Sequence, residues 1–294
     1  MNEKNNVTIG MTQFCCVESR EANLAKAEAQ IRRLAAEGAE IVCTQELFSD
    51  LYFAQIVDAG GYALAEPCGG PVNRRMRALA EELGIVLVSC YFEYAMDGVY
   101  YNSAAVFGAD GALIGHYRKH HIPDGPQYHE KYYFTPGDGP YPVFRTELGT
   151  FGVLICWDEW FPEASRILSL KGADFIFYPS AIGSEPDHPG LDTSQTWMDG
   201  IRGHGIHNGL YVCACNRVGR EDAGDGSGGY MTFYGRSFAA DPWGRVIAEA
   251  ARDEEDVLLA TLDLSEVRRA RDILQFHRDR RTDTYGEILE RSIG

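Results

Sequence analysis

The chain has 294 residues, 45% of them hydrophobic, which is enough apolar material for a large core in one big domain or two small ones. Its 43 acidic residues outnumber 27 basic ones, for a formal charge of -16. That balance repels nucleic acid and anionic membrane, which need clustered Lys and Arg, and mildly favours a cationic substrate. Met1 to Gly10 lacks an apolar signal-like stretch and no later run is long enough to cross a bilayer, so neither export nor membrane insertion is expected.

Apolar, β-branched runs alternate with helical patterns along the chain. Val7 to Phe14 reads as a strand, and Leu24, Ala27, Ile31, Leu34 and Ala35 recur at helical spacing until Gly38. Ile41 to Leu47 reads as a short buried strand. Met76, Leu79, Ala80 and Leu83 stripe a second helix that Gly84 closes. Ile85 to Tyr94 and Tyr101 to Phe107 are strands, with Ala109-Asp110-Gly111 turning into Leu113 to Tyr117. A long loop is expected from His120 to about Thr146. The strand Phe151 to Cys156 then leads into a helix with Pro162 near its first turn and Gly172 at its end. Ala173 to Ser180 returns as a strand, followed by a helix around Trp197 to His207. Strands at Leu210 to Cys215, Arg236 to Ala240, Val246 to Ala248 and Val257 to Leu262 follow. A charged helix from Ser265 to Gln275 and a polar tail close the chain.

No repeat or linker divides the chain, so residues 1–294 read as one α/β domain. More than ten strands exceed one comfortable open sheet. Two packed sheets with helices outside, a four-layer α-β-β-α sandwich, accommodate them.

Three chemically active residues sit where apolar strands end. Glu46 closes Ile-Val-Cys-Thr-Gln-Glu, and a buried carboxylate there needs a partner. Lys119 ends Leu-Ile-Gly-His-Tyr-Arg-Lys; a solvated lysine would look the same. Cys156 ends Phe-Gly-Val-Leu-Ile-Cys ahead of a turn and a helix start, a layout that presents a nucleophile at the tip of a sheet. A helix dipole and a nearby ammonium are expected to lower its pKa. Of the eight cysteines, Cys43, Cys90 and Cys213 lie inside apolar runs and read as inert. The pairs Cys15-Cys16 and Cys213-x-Cys215 lack C-x-x-C spacing, and a reduced cytoplasm is the expected location. Together the three residues make a set: a carboxylate base, a thiolate nucleophile, and an ammonium that stabilises an oxyanion beside a backbone N–H.

The segments Thr44-Gln-Glu46-Leu-Phe, Tyr117-Arg-Lys119-His-His-Ile-Pro-Asp124-Gly and Ile155-Cys156-Trp-Asp-Glu-Trp-Phe-Pro-Glu163 resemble the three signature motifs of the nitrilase superfamily, in its order and spacing. Phe177-Tyr-Pro-Ser180-Ala-Ile-Gly-Ser-Glu-Pro, Thr232-Phe-Tyr-Gly-Arg-Ser237 and Arg278-Asp-Arg-Arg281 extend the resemblance over essentially the whole chain. It implies the α-β-β-α sandwich, a Glu46–Lys119–Cys156 triad, no metal or cofactor, and homo-oligomers, with 265–294 expected at subunit contacts. Within that superfamily, Tyr117 to Phe134 and Ala181-Ile-Gly-Ser-Glu-Pro-Asp187 are most similar to the N-carbamoylputrescine amidases. That likeness implies hydrolysis of N-carbamoylputrescine to putrescine, carbon dioxide and ammonia, with Glu130 as an accessory carboxylate.

The residues after the nucleophile, Asp158-Glu159-Trp160, include no arginine of the kind that holds a substrate carboxylate. Glu185 and Asp187, with Ser180 and the aromatics Tyr52, Trp157 and Tyr178, are therefore expected to hold the far end of a carbamoylated diamine. For Glu185 and Asp187 an ordinary polar loop fits the sequence equally well. Another N-carbamoyl or ω-amide substrate such as N-carbamoyl-β-alanine, a nitrile, or a non-catalytic interaction role are the alternatives. His120, His121, His129, His204 and His207 read as packing rather than metal ligands, lacking an evident third ligand. Gly224 to Gly229 lacks a phosphate-loop ending and reads as a mobile loop, and Arg268-Arg269-Ala-Arg271 as a solvated face or subunit contact.

Overall fold

A computed structural model describes residues 5–293. The first half of the chain contains β1 (Asn6–Gln13), α1 (Arg20–Ala36), β2 (Ile41–Cys43), α2 (Pro71–Leu83), β3 (Val86–Met96), β4 (Val99–Phe107), β5 (Leu113–Arg118) and the one-turn α3 (Glu130–Tyr133). The second half adds β6 (Val143–Thr146), β7 (Gly149–Val153), α4 (Pro162–Leu170), β8 (Phe175–Ser180), α5 (Ser194–Asn208) and β9 (Tyr211–Asn216). It ends with β10 (Val218–Asp222), β11 (Tyr230–Tyr234), β12 (Phe238–Ala240), β13 (Val246–Glu249), β14 (Asp256–Asp263) and α6 (Leu264–Leu274).

Two six-stranded sheets form, in the orders β14-β1-β2-β3-β4-β5 and β13-β12-β9-β8-β7-β6. Each has three parallel strands at its centre, β1-β2-β3 and β7-β8-β9, flanked by antiparallel ones. The parallel strands are buried on both faces, which is why they read as continuous apolar runs. Ile9, Met11, Ile41, Val88 and Val106 of one sheet share a core with Phe151, Val153, Phe175 and Phe177 of the other. Leu24, Ile31, Leu34, Met76 and Leu79 of α1 and α2 cover the outer face of the first sheet. Leu168 of α4 and Trp197 and Ile201 of α5 are fully buried with the second. A Cβ at Gly152 would run into Leu168, so this glycine lets α4 lie close on β7. The expected α-β-β-α layering is what the chain forms.

Four expectations need correction. The strand expected to Leu47 stops at Cys43. There the Thr44 hydroxyl accepts from the Cys90 N–H and the Gln45 side chain brackets both backbone groups of Phe14, drawing the chain out of the ladder. Leu47 then adopts a left-handed φ of 48°. The strand expected to Cys156 likewise ends at Val153. The long loop from His120 contains α3 and β6. The glycine-rich stretch 224–229 joins β10 and β11, a two-stranded hairpin that the sequence reading lacks. Strand β14 returns to pair with β1, Asn6 opposite Asp263, so the two ends of the domain are stitched together.

Among the described residues no helix is long and apolar enough to cross a membrane, and no group of three or more His, Cys, Asp or Glu side chains is arranged to hold a metal.

Candidate active site

The loops leaving the carboxyl ends of β2, β5 and β7 converge, as ligand sites in such sheets generally do. Glu46, Lys119 and Glu130 meet there, all fully buried. Lys119 Nζ donates to Glu46 Oε1 at 2.8 Å and to Glu130 Oε2 at 2.7 Å. Asn102, in the middle of β4, donates to the same Glu46 oxygen at 2.7 Å. The Tyr52 hydroxyl donates to Glu130 Oε1 at 2.6 Å. Among the described residues Glu46 Oε2 has no hydrogen-bond partner. Burial pulls the Lys119 ammonium down, but Glu130 and Glu46 outweigh it and hold it well above its ordinary value. Burial raises the Glu130 carboxyl to about 7, against the opposing pull of Lys119.

Cys156 opens a 3-10 turn, Cys156–Trp160, with a left-handed φ of 45°. Such a backbone costs of order 1–3 kcal/mol at a non-glycine residue and persists only where its surroundings enforce it. Asp158 supplies that enforcement. Its carboxylate accepts from the Ile155 N–H, the Tyr117 hydroxyl and the His121 backbone, at 2.7–3.0 Å. The thiol is not activated as the sequence suggested. Burial first, and then the Glu46 carboxylate, push it well above its ordinary value, with Lys119 opposing. The resting group is therefore a thiol, and forming the thiolate requires a base at hand.

A cavity of about 290 Å³ opens above Cys156. Trp157, Trp160, Tyr128 and Ile182 line it, with Asp124, Glu185 and Asp187 as its acidic groups, His188 beside them, and no Lys or Arg among the described residues. Gly183 positions the acidic loop: a Cβ there would collide with the backbone of Thr232 and Phe233, so Ile182–Glu185 lies directly on β11. The Tyr128 hydroxyl accepts from the Gly183 N–H at 3.1 Å. Of the residues expected around the substrate, Trp157, Glu185 and Asp187 line this cavity. Tyr52, Tyr178 and Ser180 do not, because their hydroxyls are committed in the interior, to Glu130, Ser165 and Glu159 respectively. Asp158 and Glu159 are likewise buried and unable to meet a substrate ammonium, whereas Trp160 of the same turn does line the cavity.

The carbon-nitrogen hydrolase family model matches residues 8–272. The chain belongs to this family. As a carbon–nitrogen hydrolase it is 45% identical to an N-carbamoylputrescine amidase of Solanum lycopersicum, over 98% of this chain and 97% of that protein. It is also 42% identical to a citrullinase of Francisella tularensis, over 97% and 99% of the two chains. The crystal structure of a carbon-nitrogen hydrolase from Helicobacter pylori superposes with a TM-score of 0.93 at 37% identity, over 98% of this chain and 100% of that one.

Several residues that shape this hydrolase's site escaped the sequence reading. Asn102 sits inside a strand and its partner is Glu46, far away in sequence. Arg217 holds the loop after β2 by donating to the Glu46, Leu47 and Asp50 carbonyls. Tyr128 belongs to a quoted segment but carries no pattern that marks it as cavity-lining. For Glu159 a signal existed, a carboxylate within a turn that ends at aromatic residues, but it points equally to solvent.

Proposed function

We propose that the chain hydrolyses N-carbamoylputrescine to putrescine, carbon dioxide and ammonia, with Cys156 as nucleophile, Glu46 as base and Lys119 and Glu130 as its charged partners. Glu46 takes the thiol proton as sulfur attacks the ureido carbon. Lys119 and the backbone N–H beside Cys156 stabilise the oxyanion. The tetrahedral adduct expels the amine, which takes the proton back from Glu46. A carbamoyl group remains on sulfur as a thioester. Glu46 then deprotonates a water that attacks this carbonyl, returning the thiol and releasing carbamate, which falls apart to carbon dioxide and ammonia. Glu130, steadied by Tyr52, keeps Lys119 protonated and in place. Because Cys156 rests as a thiol, the transfer to Glu46 is coupled to attack.

The observation that carries the substrate assignment is the lining of the cavity, aromatic and acidic, with His188 as its one basic side chain among the described residues. Asp124, Glu185 and Asp187 attract a distal ammonium, and Trp157, Trp160 and Tyr128 offer cation–π faces. N-carbamoyl-β-alanine brings only a carboxylate, which such a lining repels, and citrulline brings a carboxylate beside its ammonium, which offsets the attraction. Ammonia release from N-carbamoylputrescine, citrulline, N-carbamoyl-β-alanine and a simple nitrile tests the assignment. The expected order puts kcat/KM highest for N-carbamoylputrescine. A higher value for either carboxylate-bearing ureido compound, or for the nitrile, overturns it.

Homo-oligomerisation belongs to the same reading. Ile273, Phe276, Ile288 and Leu289 are exposed along α6 and the tail, together with Leu170 of α4, the kind of apolar surface that a subunit contact covers. Light scattering of the purified chain is expected to give a mass above one subunit; a monomer at all concentrations contradicts it.

A further inference from the structure

Behind Cys156 lies a carboxyl group that the reaction sequence above leaves unused. Glu159 shares the 3-10 turn with the nucleophile and is 1% exposed. Its neighbour Asp158 is saturated by donors, but Glu159 is not. Among the described residues the Ser180 hydroxyl donates to Glu159 Oε2, at 2.9 Å, while Oε1 has no full hydrogen bond, the equally unbonded Trp197 indole N–H being the donor that faces the group. A buried carboxylate in that state is costly, whereas a carboxylic acid is tolerated.

We propose that Glu159 is a positioning residue: as a neutral acid it braces Ser180 behind the nucleophile, and losing its proton turns the enzyme off in alkaline solution. The groups around it explain why. Cys156 and Asp158 share its turn, and Glu46 and Lys119 approach from the site. From β8 come Tyr178 and Ser180. From α5 come Trp197 and His204, whose Nε2 meets the Glu159 backbone carbonyl at 2.7 Å. On α4, Ser165 is bonded to Tyr178, while Glu163 and Arg166 line a separate outer cavity. Lys119 is the one cation in this set facing Glu159 from the site, and it is already shared by Glu46 and Glu130.

Burial raises the Glu159 carboxyl to about 8, with Trp197 and Ser180 as the leading opposing influences. Above that pH its proton passes to solvent. A further negative charge then joins Glu46 and Glu130 in opposing the thiolate at Cys156. The oxyanion formed on attack is disfavoured in the same way.

This inference rests on Cys156 being the nucleophile, so the experiment has two arms. The first compares kcat/KM for N-carbamoylputrescine at about pH 7 and about pH 9 within each protein. The native ratio is expected to fall about tenfold, as a partly screened like charge near the nucleophile does; Glu159→Gln is expected to fall less, because only Glu130 still titrates there. Ser180→Ala removes a donor that favours the charged form, so its alkaline limb is expected to move to higher pH. Superimposed alkaline limbs in native and Glu159→Gln protein overturn the proposal. The second arm needs no turnover. It follows iodoacetamide alkylation of the Cys156 peptide by mass spectrometry, and above about pH 8 Glu159→Gln is expected to react faster than native. Equal rates there overturn the proposal even if the substrate assignment fails.

Discussion

Two buried cations lie on either side of the Glu46 loop, and they are satisfied to different degrees. Arg217 reaches the carbonyls of Glu46, Leu47 and Asp50 and makes a forked contact with Glu221 at 2.8 and 3.0 Å. Glu221 in turn accepts from the Tyr52 N–H at 2.7 Å. Lys119 bridges two carboxylates but leaves Glu46 Oε2 with nothing to bind. A guanidinium with planar, directional donors suits the first task, and a compact ammonium suits the second. The saturated cluster fixes the backbone. The unsaturated one keeps a lone pair free for a proton.

If that contrast is right, the two clusters break differently. Glu46→Gln keeps the shape and removes the base, so kcat is expected to fall about 10³-fold, within the usual range for a general base, with little change in melting temperature. A loss below tenfold in steady-state ammonia release breaks the contrast. Arg217→Met leaves Glu221 buried without its cation and is expected to cost roughly 3–5 kcal/mol of stability in urea unfolding. A variant as stable as native protein contradicts a structural role for Arg217.

Smaller effects sharpen the picture at the cavity. Glu185→Gln with Asp187→Asn is expected to raise KM for N-carbamoylputrescine about three- to tenfold with kcat nearly unchanged, and to weaken the salt dependence of kcat/KM. An unchanged KM removes these two residues from recognition.

A separate expected effect is on stability against pH. Burial holds the carboxyls of Glu130 and Glu159 at about 7 and about 8 in the folded chain, above the ordinary 4.5. The folded state therefore binds more protons than the unfolded one between these limits, and stability falls as pH rises through them. Melting temperature is expected to decline from about pH 5 to about pH 8, and less steeply in Glu159→Gln. A steeper decline in the variant contradicts the buried acid.

The layers, and Glu46, Lys119 and Cys156 as conspicuous residues at strand ends, were legible from local pattern, whereas Glu130 was legible only through the family resemblance. Strand runs of β-branched residues end at chemically conspicuous side chains, and a strand has few ways to present them. What escaped depends on contacts distant in sequence. Nothing near Ile41 says that Gln45 will bracket Phe14 and end β2 early. Nothing near Asn102 says that it will hold Glu46. The lowered thiol pKa failed for a related reason: dipole and ammonium are readable from sequence, but the depth of burial that outweighs them is set by both sheets together. Tyr178 and Ser180 were correctly placed at a strand end, yet the alternation of faces and their interior hydroxyl partners take them away from the cavity.

The central claim is that carbon–nitrogen cleavage passes through sulfur at Cys156. Its most direct measurement is ammonia release from N-carbamoylputrescine by native protein and by Cys156→Ala, matched for melting temperature. Native protein quenched in acid during turnover is analysed alongside by peptide mass. The account predicts loss of turnover in the variant and one carbamoyl group on the native Cys156 peptide. Sustained ammonia release by Cys156→Ala, or a carbamoyl group found on another residue, would contradict it.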